Sequence, residues 1–440
     1  MRIVAVHAMS QLSPLSALAS GRDPSRLSAA DAAWLRMDVP QSRMIITVLM
    51  RTRTPLSYET AAALVESRLL PHPRFRLALS RRGGGGAPER LDLSRHVHRV
   101  TEPVPDERAL GELVGRLMSR PLDPARPLWE VHVVEQFGEG SVLVWRLHHA
   151  LADGIALVRL LLSVVDSPVP EVSLPSPAER RAPLGTIRLA LGAVRSLLRL
   201  VALRHDHPTP LRGPLSGHKV VAWSRPLTLR AVHDEAHAQG ATVNDLLVSA
   251  LAGAVHRYLQ SRMSSEVPRT LRVIVPFDLR AHGADERLGN RFGLLFLDLP
   301  ISAASAHARL EEVKQRMARL KRSPEGVVAY RLLELIGRIT PVLAAGIVRL
   351  FGRKATAVLT NVAGPRDEVS LCGAPVETLA FWVPHAGGLG VGFSILSYAG
   401  SVRLGVAADR LRVPDPERLA QAFEDELRAL CGECLQRASD

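Results

Sequence analysis

Cysteine, lysine and aromatic residues are all scarce in this chain, and it contains no long uncharged apolar run. Three cysteines in 440 residues, Cys372, Cys431 and Cys434, are too few for a disulfide framework. Their small, odd number fits a reducing compartment, so a cytoplasmic protein with free thiols is expected. Cys431 and Cys434 have the spacing of half a zinc site, but no second Cys/His pair accompanies them in the tail, and no metal site is expected. Only four of the 56 basic residues are lysine (Lys219, Lys314, Lys321 and Lys354); the rest are arginines scattered through apolar segments. With nine Phe, five Trp and four Tyr, and no clustered basic arm, the net charge of +13 does not signal nucleic acid. A basic surface does attract pyrophosphate groups and anionic lipid headgroups.

No segment reaches the roughly 18 to 20 uncharged apolar residues that span a bilayer. Residues 184–203 come nearest, interrupted by Arg188, Arg195 and Arg199, and residues 327–351 carry Arg331, Glu334 and Arg338. Such helices either lie in a membrane interface or pack on the core with their Arg heads turned outward. The first 19 residues lack the apolar stretch of a signal peptide, so export is not expected.

Prolines divide what remains. Five fall between Asp166 and Pro183, and Pro208, Pro210 and Pro214 follow. Proline at this density reads as linker. The expected organisation is an extension over 1–24, a domain over 25–165, a linker with a basic apolar helix over 166–217, and a second domain over 218–440. Both halves mix helical and strand periods. Residues 31–37, 57–67, 109–117 and 155–165 read as helices, and 44–50, 128–136 and 141–147 as strands. In the second half, 242–258 and 303–319 read as helices and 270–275 and 355–362 as strands. Residues 393–397 and 401–407 flank a Tyr398-Ala399-Gly400 turn. The glycines at 83–86 lack the Lys-Ser/Thr of a phosphate loop and read as a connection.

The sharpest constellation is His148-His149-Ala150-Leu151-Ala152-Asp153-Gly154, set between an alternating strand and an apolar helix. Neighbouring side chains on a strand point to opposite faces, so the two histidines do not share a metal. One imidazole facing a cleft suits a general base, because its unperturbed pKa of about 6.5 lets it take and return a proton near neutrality. Asp153 also reads as a helix N-cap and Gly154 as a turn residue. Asn244 and Asp245 fall in the first turn of a helix, where capping accounts for them.

Together these residues form HHxxxDG, which resembles the motif of the CoA-dependent acyltransferase superfamily. Chloramphenicol acetyltransferases, peptide-synthetase condensation domains and bacterial wax ester synthase/diacylglycerol acyltransferases share it. Further stretches resemble the last family in particular. They are Ser28-Ala29-Ala30-Asp31-Ala32-Ala33-Trp34-Leu35, Arg126-Pro127-Leu128-Trp129-Glu130, Asn244-Asp245, Leu288-Gly289-Asn290-Arg291 and Asn361-Val362-Ala363-Gly364-Pro365. Order and spacing agree over about residues 25–425. The chain departs from the family where Ser-Ala-Ala-Asp replaces Ser-Pro-Leu-Asp and where Ala363 takes a place often held by proline.

The resemblance implies an α/β fold of two chloramphenicol-acetyltransferase-like domains with a channel between them. It implies transfer of a fatty acyl group from acyl-CoA to diacylglycerol or a long-chain fatty alcohol, with His149 as base beside His148 and no further cofactor. It also makes Asp153 structural, with Arg280 as its expected ion-pair partner, and makes Gly154, Asn244, Asp245 and Asn361 supports of the site. The expected place of work is the inner membrane surface or a lipid inclusion. Two competing readings are a condensation-like enzyme using a carrier-protein thioester and a non-catalytic protein coating lipid inclusions.

Overall fold

The computed structural model describes residues 28–79, 91–151, 163–166, 195, 198–200, 202–278, 292–321 and 325–432. The expectations for residues 1–24, the glycines at 83–86, Asp153, Gly154, most of the linker helix, Arg280, residues 288–291 and Cys434 lie outside them.

The first half opens with α1 (Ala29–Met37), β1 (Ile45–Thr52) and α2 (Tyr58–Leu64), the last running into a π turn at Val65–Leu69. β2 (Val97–Arg99), α3 (Glu107–Ser119), β3 (Trp129–Phe137) and β4 (Gly140–His148) follow. The helix starts are set locally. Ser28 accepts from the Asp31 amide while Asp31 accepts from the Ser28 amide, a capping box, and Ser57 and Asp106 cap α2 and α3.

The second half supplies β5 (Lys219–Trp223), β6 (Leu227–Thr228), α4 (Leu229–Ala238), α5 (Val243–Gln260), β7 (Thr270–Asp278) and β8 (Phe292–Pro300). Three helices come next, α6 (Ala306–Lys321), α7 (Glu325–Ile336) and α8 (Pro341–Gly352). The remaining elements are β9 (Ala357–Ala363), β10 (Ser370–Leu371), β11 (Ala374–Trp382), β12 (Val391–Tyr398), β13 (Ser401–Asp409) and α9 (Pro416–Cys431). At the β12–β13 turn both Ala399 (φ 46°) and Gly400 (φ 72°) are left-handed, which is how a two-residue hairpin matches strand twist.

Two mixed sheets result. The first has the order β10-β11-β1-β4-β3-β2; the second runs β5-β13-β12-β9-β7-β8, with β6 beside β13. Sheet membership therefore does not follow the boundary expected at residue 217. β10 and β11 come from the second half yet close the first sheet, with Val48 of β1 opposite Phe381 of β11. Ala374–Trp382 alternates buried and half-buried positions, so it needs a partner sheet on its edge, and β1 offers one.

β4 is buried along its whole length because helices cover both faces of its sheet. Leu143, Trp145 and Leu147 point to the side of α1 and α2, where Trp34, Ala61 and Leu64 meet them. Val142 and Val144 point the other way, to Leu110, Leu113 and Leu117 of α3. That second cluster also takes in Val221 of β5 and Ala407 of β13, so α3 joins the two sheets. Residues 383–390 carry the chain from β11 to β12, and the carbonyl of His385 in this crossover accepts from the Ser42 hydroxyl just before β1. Burial holds the His385 imidazole well below its ordinary pKa.

Candidate active site

The register of β4 places the two histidines. His148 is the last paired residue, opposite Ile45, and the amide of His149 donates to the carbonyl of Met44 at 2.7 Å. The chain then turns, with the Leu151 amide on the His148 carbonyl at 2.9 Å. His148 accepts at Nδ1 from the Ala150 amide at 3.0 Å, which leaves the ring proton of the neutral form on Nε2. Its ring lines a cavity of about 130 Å³ with Leu35, Asp38, Arg43, Leu122 and Leu128. His149 stacks against Trp34, ring centroids 4.0 Å apart and 16° from parallel. The two rings thus meet different neighbours, the cavity for His148 and Trp34 for His149.

Two contacts that sequence reasoning missed hold this turn. Trp34 sits in the block noted above, but nothing in the sequence says which ring it covers. Arg74 carries no motif at all, yet its Nη2 reaches Asp31 at 2.6 Å and the Ala150 carbonyl at 2.9 Å. One guanidinium thus ties the N-terminal turn of α1 to the residue after His149. Asp31 is 1% exposed, so the pair is buried. Gly337, just beyond α7, lets that helix approach α1 closely: a Cβ there would sit 1.6 Å from the Ala29 carbonyl oxygen.

The Asn-Asp pair lies on the other sheet's side. Thr242 caps α5 in a second capping box, and Asp245, three residues on, returns the contact, its Oδ2 accepting from the Thr242 amide at 3.0 Å and hydroxyl at 2.7 Å. Its other oxygen is buried and meets no donor among the described residues. Asn361 of β9 donates to Asn244 Oδ1 at 2.8 Å, so the two expected blocks touch. Asp245→Ala keeps the Thr242 cap but removes the two bonds that Asp245 Oδ2 accepts, and is expected to cost about 1–2 kcal/mol. Asn361→Ala, at an exposed bond, should cost less than about 1 kcal/mol. Parallel thermal melts of the two variants check that order.

A polar row continues from His148 along the same face of the first sheet. Arg146 Nη1 donates to Glu130 Oε2 at 2.5 Å, and His132 and His98 follow on β3 and β2. Burial lowers the pKa of both imidazoles. Burial also works to raise the Glu130 carboxyl, but His132 and Arg146 outweigh it and hold the group below its ordinary value.

Two family models match this chain. The wax ester synthase/diacylglycerol acyltransferase catalytic domain covers residues 27–201, and the WS/DGAT C-terminal domain covers 288–431. The chain belongs to the wax ester synthase/diacylglycerol acyltransferase family. A probable diacylglycerol O-acyltransferase of Mycobacterium tuberculosis strain H37Rv is 29% identical over 411 residues, covering 84% of this chain and 88% of that protein. Wax ester synthase/diacylglycerol acyltransferase 11 of Arabidopsis thaliana is 25% identical over 441 residues, covering 85% and 88%. In fold, the chain is similar to the family member from Marinobacter aquaeolei VT8, with a TM-score of 0.67 at 22% identity over 92% of this chain and 98% of that one. The first condensation domain of the calcium-dependent antibiotic synthetase gives 0.58 at 16%, over 94% and 96%. Membership in the wax ester synthase/diacylglycerol acyltransferase family makes the protein an acyltransferase, and the two mixed sheets are the family's architecture.

Proposed function

We propose that the protein moves a fatty acyl group from acyl-CoA to the hydroxyl of a diacylglycerol or a long-chain fatty alcohol, with His149 as general base. The reading rests on His149 first. The ring is stacked on Trp34, and its backbone is fixed by the Met44 carbonyl on one side and by the Arg74–Ala150 contact on the other. An imidazole held this way accepts the alcohol proton as the oxygen attacks the thioester carbonyl, then returns it to the departing CoA thiolate. Direct attack needs no acyl-enzyme, and proximity of the two bound substrates supplies much of the rate. By the family resemblance, His148, Asp153, Gly154, Asn244, Asp245, Arg280 and Asn361 are assigned supporting roles at the site. Acyl-CoA is the co-substrate, and the step calls for no other cofactor.

The deciding measurement is release of CoA thiol from palmitoyl-CoA by purified protein, with hexadecanol or a diacylglycerol as acceptor. Acceptor-dependent release supports the reading and ranks the two acceptors. Folded protein that releases nothing with either acceptor overturns it.

The acceptors live in a lipid phase, and α8 supports a place of work at a lipid surface. No helix among the described residues is long and apolar enough to cross a membrane. α8 nonetheless presents Val342 (82% exposed), Leu343 (60%) and Leu350 (45%) to solvent. Arg338, Arg349 and Arg353 flank them, and no Asp or Glu falls between residues 335 and 354. An apolar face with a cationic border suits an anionic lipid surface on the cytoplasmic side, either a membrane or an inclusion. Each aliphatic side chain buried there contributes about 1.5 kcal/mol or more. The double variant Val342→Glu/Leu343→Glu should therefore lose at least about tenfold in cosedimentation with phosphatidylglycerol vesicles.

A further inference from the structure

We propose that His98, Glu130 and His132 form a binding site for one transition-metal dication of the zinc type, at the edge of the first sheet and apart from the acyl-transfer chemistry. The placement comes from strand register. β2 and β3 run parallel with His98 directly beside His132, and Glu130 lies two residues before His132, so all three side chains leave one face of the sheet. The two imidazoles stack with centroids 4.9 Å apart and planes 28° from parallel. Their ligand atoms and a carboxylate oxygen of Glu130 all lie within 4.8 Å of one another. His132 Nε2 is already 3.3 Å from Glu130 Oε2.

Two observations favour a metal over a plain polar cluster. The His98 imidazole makes no hydrogen bond with any described residue, although it is only part-exposed and lies against another imidazole. Each neutral imidazole keeps one ring-nitrogen lone pair, and a cation within reach of both rings satisfies both. The donor set then selects the ion. Two imidazoles and a carboxylate suit zinc, nickel or copper, whereas magnesium and calcium call for oxygen donors. Zinc–nitrogen and zinc–oxygen bonds of about 2.0–2.2 Å put ligand atoms roughly 3.3 Å apart, a contraction that rotation of these half-buried side chains supplies. Water completes the coordination from the open edge. Arg146 on Glu130 Oε2 opposes the ion by its charge, so affinity in the micromolar range is expected rather than the tighter binding of a closed structural site. Once bound, the ion ties the edge strand β2 to β3, which otherwise share only a three-residue ladder.

The test uses untagged full-length protein treated with a chelator and titrated with ZnCl₂ by calorimetry, with CoCl₂ followed by visible absorption and MgCl₂ as control. One zinc per chain, a rise in melting temperature with zinc and not with magnesium, and at least tenfold weaker binding in both His98→Ala and His132→Ala support the proposal. His132→Gln, which keeps a hydrogen-bonding side chain, guards against loss of binding by misfolding, and it too must bind weakly while melting as the chelated wild type does. A stoichiometry unchanged in the His98→Ala/His132→Ala variant but lost in one lacking the three cysteines overturns it. So does equal binding of zinc and magnesium, or no binding at millimolar zinc.

Discussion

Replacing His149 with alanine is expected to reduce acceptor-dependent thiol release by about 10² to 10⁴, the usual contribution of a positioned general base. The fold should survive. The substitution removes the stacking on Trp34, but the strand itself is held by its ladder with β1 and by the Met44 carbonyl, backbone contacts that it does not touch. Circular dichroism and melting should therefore stay near those of wild type while turnover collapses. His148→Ala is the informative companion. That ring accepts a hydrogen bond from the Ala150 amide, so its loss loosens the same turn and should lower both stability and turnover. Equal turnover in wild type and His149→Ala, with lipid still accumulating in cells, would move the protein to the non-catalytic coat reading.

The second large effect is expected at Arg74. Its guanidinium bridges the buried Asp31 carboxylate and the Ala150 carbonyl, so Arg74→Ala takes a close cationic partner from a group that is 1% exposed. Breaking a buried pair from one side costs about 3–5 kcal/mol, far more than an exposed ion pair returns. The expected fall in melting temperature is of the order of 5 °C. Turnover should fall as well, because the bridge positions the residue next to His149. Substrate KM should change little, since Arg74 is proposed to act through the loop and not on the substrate. Arg74→Lys keeps the charge but replaces the planar guanidinium whose Nη2 meets both acceptors, so partial recovery of stability with incomplete recovery of kcat is expected. If kcat per folded molecule equals that of wild type, so that the lost activity only tracks the unfolded fraction, Arg74 has a purely structural role.

Much of this could be read from the residues in order. The alternation of β4 alone separates His148 from His149, and the capping boxes at Ser28/Asp31 and Thr242/Asp245 need only residues three apart. Strands and helices with strong periodicity fall close to their expected bounds. α5, expected over 242–258, runs Val243–Gln260, and the hairpin turns at Ala399-Gly400. Elements without such a signal went unread. β5 is a five-residue strand and β8 a run of nearly continuous apolar residues, FGLLFLDLP, which does not distinguish strand from buried helix. The charges of α9 hid an amphipathic helix whose Leu419, Phe423 and Leu427 lie in the second core.

What the sequence by itself determined is whatever depends on near neighbours: periodicity, caps, turn chemistry, and the order of blocks that marks the family. Tertiary structure alone decided which distant pieces meet. β11 joins the first sheet from the far half of the chain, Trp34 covers His149 across 115 positions, and Arg74 reaches both Asp31 and Ala150. The cluster of His98, Glu130 and His132 exists only because β2 lies parallel to β3 in one register, and a slip of one residue would send His98 to the opposite face. Side-chain direction repeats within a strand and can be counted along the chain, whereas the pairing of strands is a global minimum over burial and hydrogen bonding that no local window contains.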